Sequence, residues 1–118
     1  MFSVDPGSHL PPYAQLHVQV VDGARSGALP AGTRLPTVRA LAEQLGIAPN
    51  TVAKAYRELE QDGVIETRGR GGTFVAWSAD TAERGAQEAA AAFADRIRLL
   101  GVAPAHAIDL VRGALAPL

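Results

Sequence analysis

The chain contains no cysteine, no long apolar run and no excess of charge of either sign. Without thiols there is no thiol catalysis, no zinc finger and no disulfide scaffold. A membrane span needs ~18 or more apolar residues in succession, and none occurs. The N-terminal residues lack a charged stretch followed by an apolar one, so no secretory signal is expected. Eleven Lys and Arg against twelve Asp and Glu leave a formal net charge of -1. That excludes a polybasic protein but not a nucleic-acid binder, because a basic face can be balanced by acids elsewhere. The expectation is a cytoplasmic protein with no membrane partner.

The constellations of an enzyme or a metalloprotein are missing too. His9, His17 and His106 are scattered, with neither metal-ligand spacing nor a carboxylate neighbour. No Ser-His-Asp order accompanies a nucleophile elbow. Glu43, Glu58, Glu60 and Asp62 fall on helix exteriors rather than as a catalytic pair. Gly69-Arg70-Gly71-Gly72 has the glycines of a phosphate-binding loop, but not its Gly-Lys-Ser/Thr ending or its following helix. No catalytic activity, no cofactor and no metal are expected.

What is present fits one small globular unit with an appendage: 118 residues, 47% hydrophobic and 19% charged. Three segments are expected: a flexible lead over 1–10, a compact domain over 11–77 and a helical tail over 78–118. The domain is written as three helices and a hairpin. Pro11 and Pro12 offer a helix start. Tyr13, Leu16, Val20, Val21 and Ala24 follow at helical spacing until Gly27. Leu29-Pro30-Ala31-Gly32 has turn chemistry. Thr37 caps a second helix with Val38, Leu41, Ala42 and Leu45 on one face, and Gly46 stops it. Pro49 opens a third helix whose apolar face is Val52, Ala55, Tyr56 and Leu59, ending at Gly63. Two short helices joined through a glycine turn form a helix-turn-helix.

Beyond Gly63 the pattern becomes β-prone. Val64 to Thr67 and Thr73 to Ala76 flank the loop Arg68-Gly69-Arg70-Gly71-Gly72, a hairpin with a mobile cationic tip. Such a hairpin after a helix-turn-helix is a wing. The tail is alanine-rich. Ala82, Ala86, Ala89, Phe93, Ile97 and Leu100 form one stripe, Gly101 breaks it, and a last helix starts near Pro104. The fold class is therefore mainly α with a small β-hairpin: a winged helix-turn-helix followed by a two-helix tail.

In a helix-turn-helix, the start of the second of its two helices presents side chains to base edges in the major groove. Here those residues are Pro49, Asn50 and Thr51, with Lys54 and Arg57 on later turns. Asn pairs bidentately with adenine, and Lys or Arg with guanine or phosphate. Thr37 and Arg39 are placed to hold the DNA backbone. Arg68, Gly69 and Arg70 form the wing tip, directed at phosphates or a narrow minor groove.

The ordered segments Leu29-Pro30-Ala31-Gly32-Thr33-Arg34-Leu35-Pro36-Thr37-Val38-Arg39, Leu45-Gly46-Ile47, Pro49-Asn50-Thr51-Val52 and Gly72-Thr73-Phe74-Val75 carry a resemblance. Together with Ala55-Tyr56, Leu59-Glu60 and Gly63-Val64-Ile65, they make Pro12 to Ala76 similar to the DNA-binding domain of the GntR family of bacterial transcription regulators. The short tail resembles that of the YtrA-like subfamily. The resemblance implies a repressor that binds an inverted-repeat operator in double-stranded DNA as a homodimer. Its third helix enters the major groove and its wing lies on the backbone or minor groove. In that family the positions of Arg39, Ala48 to Thr51 and Arg68 to Arg70 approach DNA. Ala48 departs from the pattern, since a polar residue is usual there, and alanine can neither cap the helix nor hold a phosphate.

Phe93, Ile97, Leu100, Ile108, Val111 and Leu115 are too few to form a separate core and are expected to pair two copies through the tail. A small-molecule effector is allowed for, in a pocket between tail and DNA-binding unit. A winged helix that binds protein rather than DNA is the alternative. It would place acidic or apolar residues where this chain has Arg, Asn and Thr. From Arg34 to Arg70 six basic residues face five acidic ones, so a DNA-binding face must come from placement rather than excess.

Overall fold

The structure, a computed structural model, describes residues 1–117. Pro11 and Pro12 place their fixed φ where a helix begins, and α1 runs over Pro12–Ser26. Its inward face is Gln15, Leu16, Val20 and Ala24. Gly27, at φ 87°, ends it.

Gln15 is the one polar side chain among the buried residues described, and it has a task. Its Nε2 donates to the carbonyls of Asp5 (2.9 Å) and Leu10 (2.8 Å), and its Oε1 accepts from the Asp5 amide (2.8 Å). One turn on, Gln19 exchanges two hydrogen bonds with the backbone of Ser3. The ten-residue lead, expected to fray, is thus held along α1, with Phe2 packed on the core. The lead's own composition could not reveal this, because the partners lie on another segment at i,i+4 spacing.

The helix-turn-helix consists of α2 (Val38–Leu45) and α3 (Pro49–Gln61). The Thr37 hydroxyl accepts the Ala40 amide (3.1 Å) and caps α2. At its other end Gly46 adopts φ 66°. The Gly46 amide bonds to the Glu43 carbonyl (3.3 Å) and the Ile47 amide to Ala42 (3.1 Å). This is a Schellman closure, and the left-handed residue at its centre is why glycine is needed there. The same pair of bonds recurs at Gly63 and at Gly101.

Three short strands complete the unit: β1 (Arg34–Leu35), β2 (Ile65–Thr67) and β3 (Thr73–Val75). They form an antiparallel sheet in the order β1-β3-β2. The expected hairpin is β2 and β3. The third strand, β1, was not foreseen, since two residues carry no readable alternation. It exists because β3 offers its free edge, pairing Arg34 with Phe74 and Leu35 with Thr73. The tip is a single 3-10 turn over Gly69–Gly71, closed by the Arg68 amide on the Gly72 carbonyl (2.9 Å).

The core gathers Leu16 and Val20 of α1, Leu41 of α2, and Val52 and Leu59 of α3 with Ile65 and Val75 of the sheet, all fully buried. The chain divides into two compact units, Met1–Ala82 and Glu83–Leu118. α4 (Ala79–Leu100) begins in the first and continues into the second, which ends in α5 (Pro104–Leu115). No helix among the described residues is long and apolar enough to cross a membrane.

Tyr56 joins the two helices of the helix-turn-helix. Its hydroxyl donates to the Pro36 carbonyl just ahead of α2 (2.7 Å), and burial pushes its pKa up to about 12. Tyr56→Phe is expected to lose ~1 kcal/mol in urea unfolding at pH 7. In the wild type, the unfolded phenol ionises above its ordinary value near 10 while the folded one stays neutral. The hydroxyl's advantage is therefore complete below pH 10 and is eroded as pH rises towards 12, so the stability of the wild type falls over that window while that of Tyr56→Phe shows no such decline.

Candidate nucleic-acid interface

α3 has two faces at helical period. Val52, Ala55, Tyr56 and Leu59 are buried, while Asn50, Lys54 and Arg57 are exposed along the opposite side and Thr51 is half-buried. Pro49 occupies the first turn, and Ala48 stands at the N-cap with no side-chain hydrogen bond, as its methyl group requires. Thr37 and Arg39 are exposed at the start of α2. The Thr37 oxygen is occupied in capping, which leaves its proton free to donate. Among the described residues Arg39 and Arg70 form no ion pair, whereas Arg68 does.

The two wing arginines therefore differ. Arg68 Nε donates to Glu66 (2.8 Å), and the guanidinium lies 4.4 Å from the centre of the Phe74 ring. Glu66 and Arg34 are both cross-strand partners of Phe74, so these groups share one face of the sheet. Arg68 is held where β2 enters the tip, and Arg70 is exposed within the tip turn. Sequence reasoning treated the two alike, because the pairing partner becomes visible only once the strands are in register. It also passed over Arg34, whose guanidinium packs on Gly72. Gly69, at φ 51°, turns the tip.

Lys54 is also engaged: its Nζ lies 3.7 Å from the centre of the Tyr13 ring on α1. In the sequence Tyr13 belongs to α1's apolar face, and no sequence spacing links it to Lys54.

In the second unit, Phe93, Leu100, Ile108 and Leu115 are exposed. Ile97 and Val111 are half-buried and line a cleft of about 460 Å³ between α4 and α5. Leu99, 80% exposed, stands off the stripe that runs in steps of three and four through Ile97 and Leu100, so helical periodicity does not point to it. Ala107 is the one buried residue described in this unit. No group of three or more potential metal ligands occurs among the described residues.

A helix-turn-helix whose second helix exposes an Asn-Lys-Arg face, followed by an arginine-bearing hairpin, defines a winged helix-turn-helix protein. Residues 12–75 match the family model described as bacterial regulatory proteins, gntR family, and the chain belongs to that family. Within it the chain is YtrA-like. It is 45% identical over 82 residues to the HTH-type transcriptional repressor YtrA of Bacillus subtilis, covering 69% of this chain and 62% of that protein. It is 64% identical over 72 residues to the HTH-type transcriptional regulator Rv1152 of Mycobacterium tuberculosis, covering 61% of this chain and 60% of that one. Each match thus spans under two thirds of the relative's length. Among solved structures, the AraR(DBD) in complex with operator ORX1 superposes with a TM-score of 0.56 at 30% identity, over 64% of this chain and 96% of that one.

The wing's geometry has a mutational consequence. Gly72 sits at φ 109°, ψ -162°, and a Cβ there would come within 2.9 Å of Arg34 Nε. Gly72→Ala is expected to cost about 1–3 kcal/mol in chemical denaturation, since that backbone region is essentially reserved for glycine.

Proposed function

We propose that this chain is a sequence-specific DNA-binding transcription regulator, a repressor, that grips an inverted-repeat operator as a homodimer. The observation that carries the reading is the exposed face of α3, with Asn50 at its start and Lys54 and Arg57 beyond, flanked by Arg39 and Arg70, which form no ion pair among the described residues. α3 enters the major groove, where Asn50 is the base reader. Thr51 and the Pro49 turn approach the backbone beside it. Thr37, Arg39 and Arg70 hold phosphates, and Gly69 lets the wing tip lie close to the groove. Arg68 joins them by exchanging Glu66 for a phosphate. The B. subtilis relative's name, a repressor, and the AraR(DBD) operator complex support this reading. The exposed Asn, Thr and Arg leave no observation favouring a protein-binding winged helix.

Residues 11–77 are the reading head in this scheme and 78–118 the pairing tail. Support for pairing comes from the uncovered apolar side chains of α4 and α5, with Leu99 and Leu115 about four-fifths exposed. Apolar groups left in water at that density mark an interface. Phe93, Ile97, Leu100, Ile108, Val111 and Leu115 meet their symmetry mates there. The α4–α5 cleft is also of a size that suits a small apolar effector, within the range of ~300–1,000 Å³.

Selection of bound duplexes from a random pool tests the reading and yields the operator. A recovered inverted repeat supports it, and no enrichment overturns it. Affinity for that duplex, followed by fluorescence anisotropy, is expected to fall steeply with salt as phosphate contacts release counterions. Arg39→Ala and Arg70→Ala are expected to weaken binding to all sequences alike. Asn50→Ala should relax preference at one base pair by ~1–3 kcal/mol. Light scattering is expected to show twice the chain mass, and Leu100→Glu to give a monomer that still folds. A monomeric wild type would sink the pairing role.

A further inference from the structure

We propose that Tyr13 is a positioning residue for DNA binding: it holds Lys54 against α1, so that Lys54 serves as a phosphate contact rather than a base reader. The proposal rests on the DNA-binding reading above and adds a residue from outside the helix-turn-helix.

The geometry is direct. Lys54 Nζ lies 3.7 Å from the centre of the Tyr13 ring, well inside the ~6 Å over which an ammonium is attracted by the negative face of an aromatic ring. Tyr13 is half-buried and packs against the core, so the ring is a fixed platform. α1 packs on α3, which brings the first turn of one helix beside the second turn of the other. Lys54 itself remains exposed. The ring takes the N–H side that faces it and leaves the outward N–H donors of the ammonium to solvent or an anion.

Two consequences follow from chemistry alone. A free lysine side chain must be immobilised on binding, and it carries large rotamer entropy. A lysine already resting on a ring has lost part of that freedom, so less is lost when a phosphate arrives. Direction matters as well. An ammonium drawn towards α1 is drawn away from the axis along which Asn50 and Arg57 extend from α3. It therefore sits towards the flank of the reading helix, where a groove-bound helix meets the sugar-phosphate backbone rather than base edges. Among the described residues no ion pair competes with the Tyr13 ring for Lys54.

The test uses the full chain and a duplex recovered by selection from a random pool, with binding measured by anisotropy across a salt series. Four variants are compared: Tyr13→Leu, Tyr13→Phe, Lys54→Gln and the double variant Tyr13→Leu/Lys54→Gln. Tyr13→Leu keeps an apolar side chain for packing but removes the ring face. It is expected to weaken binding about two- to fivefold. Tyr13→Phe, which restores the face without the hydroxyl, should bind like the wild type. Lys54→Gln should lower the salt slope by about one and leave the selected sequence unchanged, as loss of a phosphate contact does. In the Lys54→Gln background, Tyr13→Leu should have no further effect.

In the free protein, the ε-methylene protons of Lys54 should show an upfield ring-current shift in NMR spectra, which Tyr13→Leu abolishes. This reading needs no DNA. The proposal is overturned if that shift is absent. It is also overturned if Tyr13→Leu costs as much without Lys54 as with it, if Tyr13→Phe binds as weakly as Tyr13→Leu, or if Lys54→Gln alters the selected sequence. A wild type that enriches no duplex overturns the DNA-binding reading and this proposal with it. Wild-type binding without coupling between Tyr13 and Lys54 overturns this proposal alone.

Discussion

One helix must serve two solvents, and the rest of the domain is arranged around that constraint. α3 buries Val52, Ala55, Tyr56 and Leu59 to close the core, and the same thirteen residues present Asn50, Lys54 and Arg57 outward. The helical period makes this possible, because residues three and four apart share a face. The buried stripe fixes the helix's rotation about its own axis, and that rotation decides which side chains point outward. α1, α2 and β2 all pack against α3, and Leu16, Val20, Leu41, Ile65 and Val75 share its buried core. The Tyr56 hydroxyl then ties α3 to the entry of α2.

Near-neutral composition fits a DNA-binding face because charges are paired locally, where they do little. Arg25 meets Asp22, Arg98 meets Asp95 and Arg112 meets Asp109, each at i,i+3 on its own helix. Exposed pairs of this kind add little stability, but they leave each of those helices close to neutral. Arg39, Arg57 and Arg70 belong to no such pair among the described residues. Arg68 stands between the two groups. Glu66 and Phe74 hold it. Among the described residues the wing thus carries one paired arginine, Arg68, and one outside any ion pair, Arg70.

The tail follows a different physical logic. α4 buries none of its residues, and α5 buries only Ala107. Alanine favours the helix but offers little apolar area, so two helices of this composition cannot make a core on their own. Their larger side chains remain in water, and an energetic reason for partnership remains with them. A dimer so formed would set the spacing between two reading heads, which is how symmetric proteins match inverted repeats.

Much of this could be read from the chain itself. Capping threonine, closing glycines and period-3.6 apolar residues are local rules, so the helix starts and stops at Thr37, Gly46, Pro49, Gly63 and Gly101 fell where the residues placed them. The Gly-Arg loop marked the wing, and the ordered motifs marked the family. What depended on tertiary structure was every relation between distant segments. The lead lies along α1 because two glutamines on another segment accept and donate at the right height. β1 is a strand only because β3 lends it an edge. Arg68 differs from Arg70 because strand register brings Glu66 and Phe74 beside it, and Lys54 rests on Tyr13 because α1 crosses α3. Local propensity acts over a few residues and is written in sequence. Partner identity across tens of residues is set by packing, which exists only once the chain has folded.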